Sequence, residues 1–280
     1  MSLKSLFSRA RHGFRSQSTE RPTDLQGDFG SWADARAAST GYDSDAILEK
    51  TRSALLKVKN GEAAFERDSV VFPEIEHNWP ALAALMFAAA RSNGKLNVLD
   101  FGGSLGSTYY QVRHFLAELD SVRWNVVEQQ GHVDVGRKWF ENEQLRFYGS
   151  IKECLAATQP NTVLVSSVLQ YLEYPYSTFD ELLHVAAADT IIIDRTPFWD
   201  GNRDFLSVQV VPPEIYQASY PSWIFSRKRF DSQLPDSWKR IATFACQDRL
   251  SGPIELAYEG MIIVRKDELR EPRLRGTISS

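Results

Sequence analysis

The feature that most constrains the fold is an alternation of short apolar runs with amphipathic helical segments, which begins after Gly94. Five runs are predicted strands: residues 96–101, 124–127, 145–148, 162–168 and 190–194. Strands that alternate with helices of about 10–15 residues form βαβ units with a parallel sheet. Two further predicted strands, 238–244 and 260–265, form a hairpin. The sequence therefore predicts an α/β fold whose sheet is mostly parallel with an antiparallel C-terminal hairpin.

Composition divides the rest of the chain. Residues 1–26 are polar, turn-rich and basic, and are predicted to be a flexible arm. Helical spacing from Ser44 and again from Asn78 predicts an N-terminal helical cap over residues 27–92, with an irregular stretch at 65–73. The α/β domain is predicted to span residues 93–268, and residues 269–280 to form a tail.

Charge and cysteine content limit the classes of partner. With two cysteines in the chain there is no disulfide framework, and we expect a reducing, cytoplasmic location. Residues 1–21 hold five basic side chains and one acidic one, whereas the remainder holds 27 basic and 35 acidic ones. An acidic body disfavours nucleic acid, because that binding depends on phosphate neutralisation. The basic start lacks the apolar run of a signal peptide, and allows at most peripheral contact with an anionic membrane.

A glycine-rich turn joins the first strand of the predicted sheet to the next helix. The segment DFGGSLGS, residues 100–107, directs backbone N–H groups and a helix N-terminus at a ligand. A dinucleotide site would need G-x-G-x-x-G, but counted from Gly102 the other two places hold Ser104 and Ser107. A nucleophile elbow, G-x-S-x-G, matches residues 102–106, yet the last 96 residues hold no histidine to complete a triad.

The third interpretation of the turn is a loop that binds S-adenosylmethionine. The form D-x-G-x-S/G-x-G is matched at Asp100, Gly102, Ser104 and Gly106. The ammonium and sulfonium of this ligand are cationic, so a carboxylate at the strand end is favourable, whereas it would repel a pyrophosphate. The next strand ends at Glu128, 22 residues beyond Gly106, where a carboxylate accepts hydrogen bonds from a ribose diol. We therefore expect S-adenosylmethionine as cofactor and S-adenosylhomocysteine as product.

Five segments of the chain together carry a resemblance: GYD at 41–43, FERDSV at 65–70, LDFGGSLGS at 99–107, VEQ at 127–129 and SVLQYL at 167–172. They resemble a family of bacterial methyltransferases associated with surface-polysaccharide and lipopolysaccharide gene clusters. The resemblance covers residues 28–266 and leaves out the basic arm. It implies a Rossmann-like class I methyltransferase sheet, and it adds Gly103, Gln129 and Ser167 to the candidate cofactor-binding residues.

Methyl transfer is an in-line displacement at a sulfonium, so alignment of the reacting atoms dominates the catalysis. A hydroxyl acceptor also benefits from a general base, which we expect beyond the carboxyl ends of the strands. Asp194 and Glu173 are candidate bases, and Tyr171 and Arg195 are candidate substrate-orienting groups. His77, between the cap and the sheet, is a weaker candidate base. No carboxylate–histidine pattern indicates a metal site.

Residues 198–234 form an insertion that is too long for a simple connection between strands. Aromatic residues alternate there with cations, a composition that suits a carbohydrate acceptor and equally suits packing onto the sheet. We predict that the insertion and the cap form two walls of an acceptor pocket, and that the enzyme O-methylates a saccharide. The alternatives are a non-catalytic protein that binds the cofactor and, with Ser104 as nucleophile, a serine hydrolase.

Overall fold

The computed structural model describes residues 24–41, 44–67, 69–211, 218–248 and 251–266. Its helices are α1 Trp32–Ala37, α2 Ser44–Lys59, α3 Trp79–Arg91, α4 Ser107–Leu116, α5 Gln130–Trp139, α6 Ile151–Ala157, α7 Pro175–Leu183 and α8 Arg227–Asp231. Its strands are β1 Asp24–Gln26, β2 Phe65–Arg67, β3 Val70–Phe72, β4 Lys95–Phe101, β5 Ser121–Val127, β6 Leu145–Tyr148, β7 Thr162–Ser166, β8 Thr190–Trp199, β9 Phe205–Val210, β10 Ser219–Ser226, β11 Trp238–Ala245 and β12 Ala257–Arg265.

Five parallel strands form the centre of the main sheet, in the order β6–β5–β4–β7–β8. Strand β12 lies antiparallel on β8, and β11 lies antiparallel on β12. The chain builds outward from β4 through β5 and β6, and then returns to the other side of β4 with β7 and β8. The predicted fold class is thereby confirmed: a Rossmann-like, mostly parallel sheet with an antiparallel C-terminal hairpin. The order reverses between β4 and β7, and ligands bind beyond the carboxyl ends of the strands at such a point.

Both faces of this sheet are covered by helices, as a parallel sheet requires. Alternate residues of β4 serve the two cores: Val98 packs with the side chains of α2, α3 and α4, and Leu99 packs with those of α6 and α7. Helix α3 begins at its N-cap Asn78, whose Oδ1 accepts from the Ala81 N–H at 3.2 Å. Its apolar face is buried against β4 and β8, so this helix of the predicted cap packs directly on the sheet. In the described part of the chain, no helix has the length and apolar character needed to cross a membrane.

The stretch 65–73, predicted to be irregular, forms the two-stranded hairpin β2–β3 instead. Phe65 and Phe72 face each other across the two strands, with ring centroids 5.4 Å apart. The hairpin lies against α2 and α4 and is not hydrogen-bonded to the main sheet. Strands of three residues carry too little periodicity to be recognised in a sequence, which explains the difference.

The predicted insertion at 198–234 supplies β9, β10 and α8. Strand β10 pairs with the last two residues of β8, β9 pairs antiparallel with β10, and β1 pairs antiparallel with β9. Residues 24–26, assigned to the arm by composition, therefore form a strand, because the free edge of β9 offers them backbone partners. The rest of the predicted arm, residues 1–23, and the predicted tail lie outside the described residues.

Candidate functional site

The glycine loop, residues 102–106, connects β4 to α4 at the carboxyl edge of the sheet. Gly102 and Gly106 have φ values of 71° and 91°, in the left-handed region that glycine tolerates. A Cβ on Gly102 would lie 2.4 Å from Cγ2 of Val168, and one on Gly103 would lie 2.3 Å from Oδ2 of Asp100. The loop is therefore pressed between the turn after β7 and the end of β4, and only glycine fits at these two positions.

Asp100 lies beneath this loop and is 1% exposed. Its Oδ2 accepts a hydrogen bond of 2.8 Å from Nε1 of Trp124, on the neighbouring strand β5. Burial raises the pKa of Asp100 to about 7, and the nearby charge of Glu128 adds to the rise, while the bond from Trp124 opposes it. The carboxylate lies directly against Gly103 of the loop on its interior side, and its contact with a cationic ligand stays a prediction.

Glu128 stands beside the glycine loop, where the sequence places it. Its Oε1 accepts from the Ser104 N–H at 3.2 Å, and its Oε2 accepts from the Gln129 N–H at 2.8 Å. The side chain is half-buried, and Gln129 is exposed. The topology thus brings together the two predicted parts of the cofactor site, the loop after β4 and the acid after β5, at the point where the strand order reverses.

Ser104 has a φ of 55° and occupies the nucleophile position of the elbow motif. The histidines of the described chain lie elsewhere: His77 precedes α3, His114 is on α4, His132 is buried on α5, and His184 caps α7. Within the described residues, no histidine is hydrogen-bonded to Ser104. A triad needs a base within hydrogen-bond reach of its nucleophile, and this geometry does not supply one.

Two residues at this edge of the sheet are left-handed although neither is glycine: Ser167 follows β7, and Arg195 lies within β8, directly after the part of β8 that pairs with β7. Ser167 has a φ of 54° and Arg195 has a φ of 51°. The side chain of Gln170, fully buried in a 3-10 turn at Leu169–Tyr171, donates from Nε2 to Oγ of Ser167 at 3.1 Å and to the carbonyl oxygen of Arg195 at 3.3 Å. Such strained conformations cost about 1–3 kcal/mol each and cluster at functional sites. Sequence analysis missed Gln170, whose only signal was a polar side chain between apolar neighbours.

Asp194, a candidate base, is 2% exposed and lies within β8, at the last residue that pairs with β7. Its Oδ2 accepts from Nδ2 of Asn78 and from Oγ of Ser166, both at 2.9 Å. Its Oδ1 accepts from the Cys246 thiol at 3.4 Å. Burial, and then the charge of Asp194, raise the pKa of this thiol above its usual range. The carboxylate therefore joins the cap helix α3, β7 and the chain after β11, and its oxygens are engaged with protein donors.

Arg195 turns its guanidinium toward Asp248. Nε donates to both carboxylate oxygens at 3.1 and 3.2 Å, and Nη2 donates to Oδ1 at 2.9 Å. Burial acts to raise the pKa of Asp248, but the paired Arg195 outweighs it and the pKa is lowered. The predicted orienting group is thus held in a fixed ion pair at the edge of the site.

Tyr171, the other predicted orienting group, reaches the insertion. Its hydroxyl donates to Oε1 of Gln209 at 3.0 Å, and its ring meets that of Tyr220 edge-on, with centroids 5.2 Å apart. The candidate base Glu173 is exposed two residues further on, and its hydrogen bond and charge raise the pKa of the exposed Tyr174. The structure therefore places Tyr171 between the sheet and the insertion, and Glu173 on the surface.

His77 packs its ring between Trp79 and Phe115, with centroid distances of 4.8 and 5.2 Å. Its Nδ1 is buried and has no hydrogen-bond partner among the described residues. The ring lies just before α3, and one of its neighbours, Phe115, belongs to α4. A second residue that sequence analysis missed is Glu66 of that hairpin, which is 2% exposed and contacts the first turn of α4.

Comparisons with known proteins were made on sequence and on structure. No protein-family model and no curated protein matches the chain. Among solved structures, it is similar to the N-terminal domain of EvdMO1 crystallised in the presence of SAH and D-fucose (13% identity, TM-score 0.47, 80% of this chain and 97% of that one). It is also similar to an S-adenosylmethionine-dependent methyltransferase from Clostridium acetobutylicum ATCC 824 (9% identity, TM-score 0.45, 68% and 92%).

A third similar structure is SAM-bound CalS10, an amino pentose methyltransferase from Micromonospora echinaspora (11% identity, TM-score 0.45, 68% of this chain and 91% of that one). At these identities and TM-scores the matches do not transfer chemistry to this chain. The geometry of the glycine loop and of its carboxylates is the basis for assigning function.

Proposed function

We propose that the protein is an S-adenosylmethionine-dependent methyltransferase. The observation that carries the proposal is the position of Glu128, which reaches back from the end of β5 to the Ser104 N–H of the glycine loop, where the strand order reverses. A carboxylate there suits a ribose diol. When bound, the cofactor supplies a methyl group on a positively charged sulfur.

The chemistry of the site fits a cationic nucleoside better than a dinucleotide. A helix N-terminus ordinarily attracts phosphate. Here Glu128 already accepts from an N–H of the loop, and Glu66 accepts from Ser107 at the start of α4. Carboxylates in these positions repel a pyrophosphate and attract an ammonium or a sulfonium. The candidate cofactor-binding residues are therefore Glu128, Gln129, Ser167 and the loop 102–106, with Asp100 beneath the loop.

The acceptor in this proposal is a hydroxyl of a saccharide or of a surface-polysaccharide precursor. The aromatic insertion, which meets the strand ends through the contact of Tyr171 with Gln209 and Tyr220, supports such an acceptor, as does the resemblance of the sequence motifs. Tyr171 and Arg195 orient the acceptor, and Asp194, Glu173 or His77 takes its proton. Alignment for in-line displacement supplies most of the rate.

Calorimetric titration with S-adenosylhomocysteine tests the cofactor site. We expect micromolar binding by the wild-type protein, and at least tenfold weaker binding by Glu128→Ala, because two hydrogen bonds to the ribose are lost. Gly103→Ala should bind as poorly, since its Cβ would collide with Asp100. Gly30→Ala is the matched control, because its Cβ meets no atom within 4 Å.

The same titration separates the alternatives. No binding by the wild-type protein, together with covalent labelling of Ser104 by a fluorophosphonate, would establish the hydrolase and exclude the methyltransferase. Binding of S-adenosylhomocysteine without methylation of any saccharide offered would favour a non-catalytic cofactor-binding protein.

A further inference from the structure

The hairpin β2–β3 contacts the cofactor loop through one buried carboxylate. Oε2 of Glu66 accepts from the hydroxyl of Ser107 at 2.6 Å, and Oε1 accepts from the Ser69 N–H at 2.8 Å. Ser107 is the first residue of α4 and directly follows Gly106, the last glycine of the loop. A residue of the cap is thus hydrogen-bonded to the residue that directly follows the glycine loop.

The position of this carboxylate is electrostatically favourable. Glu66 is 2% exposed, and a buried carboxylate is costly unless hydrogen bonds and nearby positive charge compensate it. The first turn of α4 supplies a positive helix end, and the N-cap Gly106 has no side chain to satisfy it. Glu66 accepts from the Ser107 hydroxyl in that turn, so its negative charge lies beside the positive helix end.

The hairpin needs these contacts to be ordered. Two three-residue strands paired only with each other are marginally stable in water. The hairpin is hydrogen-bonded on two sides. On one side, the hydroxyl of Ser69 is bonded to that of Thr51 of α2 at 2.7 Å. On the other side, Glu66 accepts from Ser107, and Gln111 of α4 donates to the Glu66 carbonyl oxygen at 3.3 Å. The first contact lies on the cap side, and the second set ends on the helix that follows the cofactor loop.

We infer that Glu66 is a positioning residue of the cofactor site: through Ser107 it fixes the end of the glycine loop, so that docking of the β2–β3 hairpin and binding of the cofactor are coupled. The inference rests on the proposed function for the identity of the ligand. Coupling of this kind is reciprocal, so a ligand that requires the ordered loop also stabilises the docked hairpin.

The test measures S-adenosylhomocysteine affinity and amide hydrogen exchange in single and double variants of the full chain. Glu66→Ala and Ser107→Ala should each bind about tenfold more weakly, the effect of one charge-assisted hydrogen bond. The double variant should bind no more weakly than either single variant, because both remove the same bond. Amides 102–107 of the ligand-free Glu66→Ala protein should exchange faster than in the wild type.

Thr51→Val is the matched control. It removes the bond of Ser69 to α2, and leaves the contact with α4 intact. A merely structural role of the hairpin predicts equal effects of Thr51→Val and Glu66→Ala, and that result overturns the inference. So does wild-type affinity in Glu66→Ala or Ser107→Ala. Should Glu66→Ala fail to fold, Glu66→Gln replaces it, with weaker binding again expected.

Failure of this inference and failure of the proposed function are distinguishable. If the wild-type protein does not bind S-adenosylhomocysteine, the proposed function is wrong. The exchange of amides 102–107 in the ligand-free protein then still decides whether Glu66 fixes the loop.

Discussion

Three carboxylates surround the glycine loop, and each is held by a different kind of contact. Asp100 is buried below the loop, Glu128 accepts from a backbone N–H of the loop, and Glu66 approaches from the cap. The sequence motif predicted the first two as cofactor-binding residues, and for Asp100 that role stays a prediction. The structure adds that Trp124 of the adjacent strand donates an indole N–H to the Asp100 carboxylate, a contact between strands that is not visible in a local motif.

The buried carboxyl of Asp100 predicts a pH dependence of stability. Its pKa is raised to about 7, whereas an unfolded chain releases the proton near the ordinary aspartate pKa of 3.8. Between these two values the folded state keeps a proton that the unfolded state has lost, so the free energy of unfolding falls as the pH rises. The loss is complete above about pH 7 and is on the order of 4 kcal/mol.

Asp100→Asn should remove this pH-dependent part of the free energy of unfolding, since an amide does not titrate and still accepts a hydrogen bond from the indole of Trp124. Urea unfolding at several pH values between 4 and 8 should give a flatter profile for this variant than for the wild type. Asp134→Asn, at an exposed carboxylate, is the control and should reproduce the wild-type profile. Identical profiles for Asp100→Asn and the wild type would show that the carboxyl is not buried as described.

At the scale of elements, long helices and the central strands were predictable, and the short added elements were not. The helix from Asn78 and the strands β4 to β8 have strong periodicity or long apolar runs. The hairpin β2–β3 and the strand β1 have three residues each, and they form because a neighbouring element offers backbone partners or a buried surface. Such elements depend on tertiary contacts, which the local sequence does not specify.

Strand β1 is predicted to contribute measurably to stability. Leu25 is 4% exposed and packs with Phe205 and Ile224, beneath the antiparallel extension of the sheet. Leu25→Ala should lower the free energy of unfolding by about 2–4 kcal/mol, through lost burial and the cavity left behind. Gln26→Ala, at an exposed neighbour in the same strand, should change it by less than about 0.5 kcal/mol. Equal losses of unfolding free energy for Leu25→Ala and Gln26→Ala in urea denaturation would show that the packing of β1 does not stabilise the fold.

At the scale of the whole molecule, Asp194 connects parts of the chain that are far apart in sequence. Asn78 of the cap, Ser166 of β7 and Cys246 after β11 all donate to it. The sequence predicted a functional acid at the end of the strand 190–194, which the structure extends to Trp199, and the role of Asp194 as a base stays a prediction. The structure adds that the same carboxylate joins the cap to the sheet beside the proposed acceptor site.

Asn78→Asp tests the contact between the cap and Asp194, because aspartate keeps the N-cap of α3 but places a second carboxylate beside that of Asp194. At neutral pH we expect a loss of about 2–4 kcal/mol in the free energy of unfolding, from like-charge repulsion in a buried position. Asn78→Ser keeps a capping hydroxyl without the charge and should lose about 1 kcal/mol. The difference in free energy of unfolding between the two variants should disappear near pH 4 in chemical denaturation. A difference that is independent of pH would contradict the contact between residue 78 and Asp194.

The sequence by itself determined the order of helices and strands in the domain, and so the parallel sheet, its antiparallel hairpin and the glycine loop with an acid after the next strand. These features follow from local periodicity and from backbone demands that particular residues meet. Only the tertiary structure decided which side chains meet at the carboxyl edge. There Glu66 is hydrogen-bonded to Ser107 of α4, Gln170 to the left-handed residues Ser167 and Arg195, and Asp194 to Asn78 of the cap. Those contacts join residues that are distant along the chain, and their partners are selected by packing, which no local pattern records.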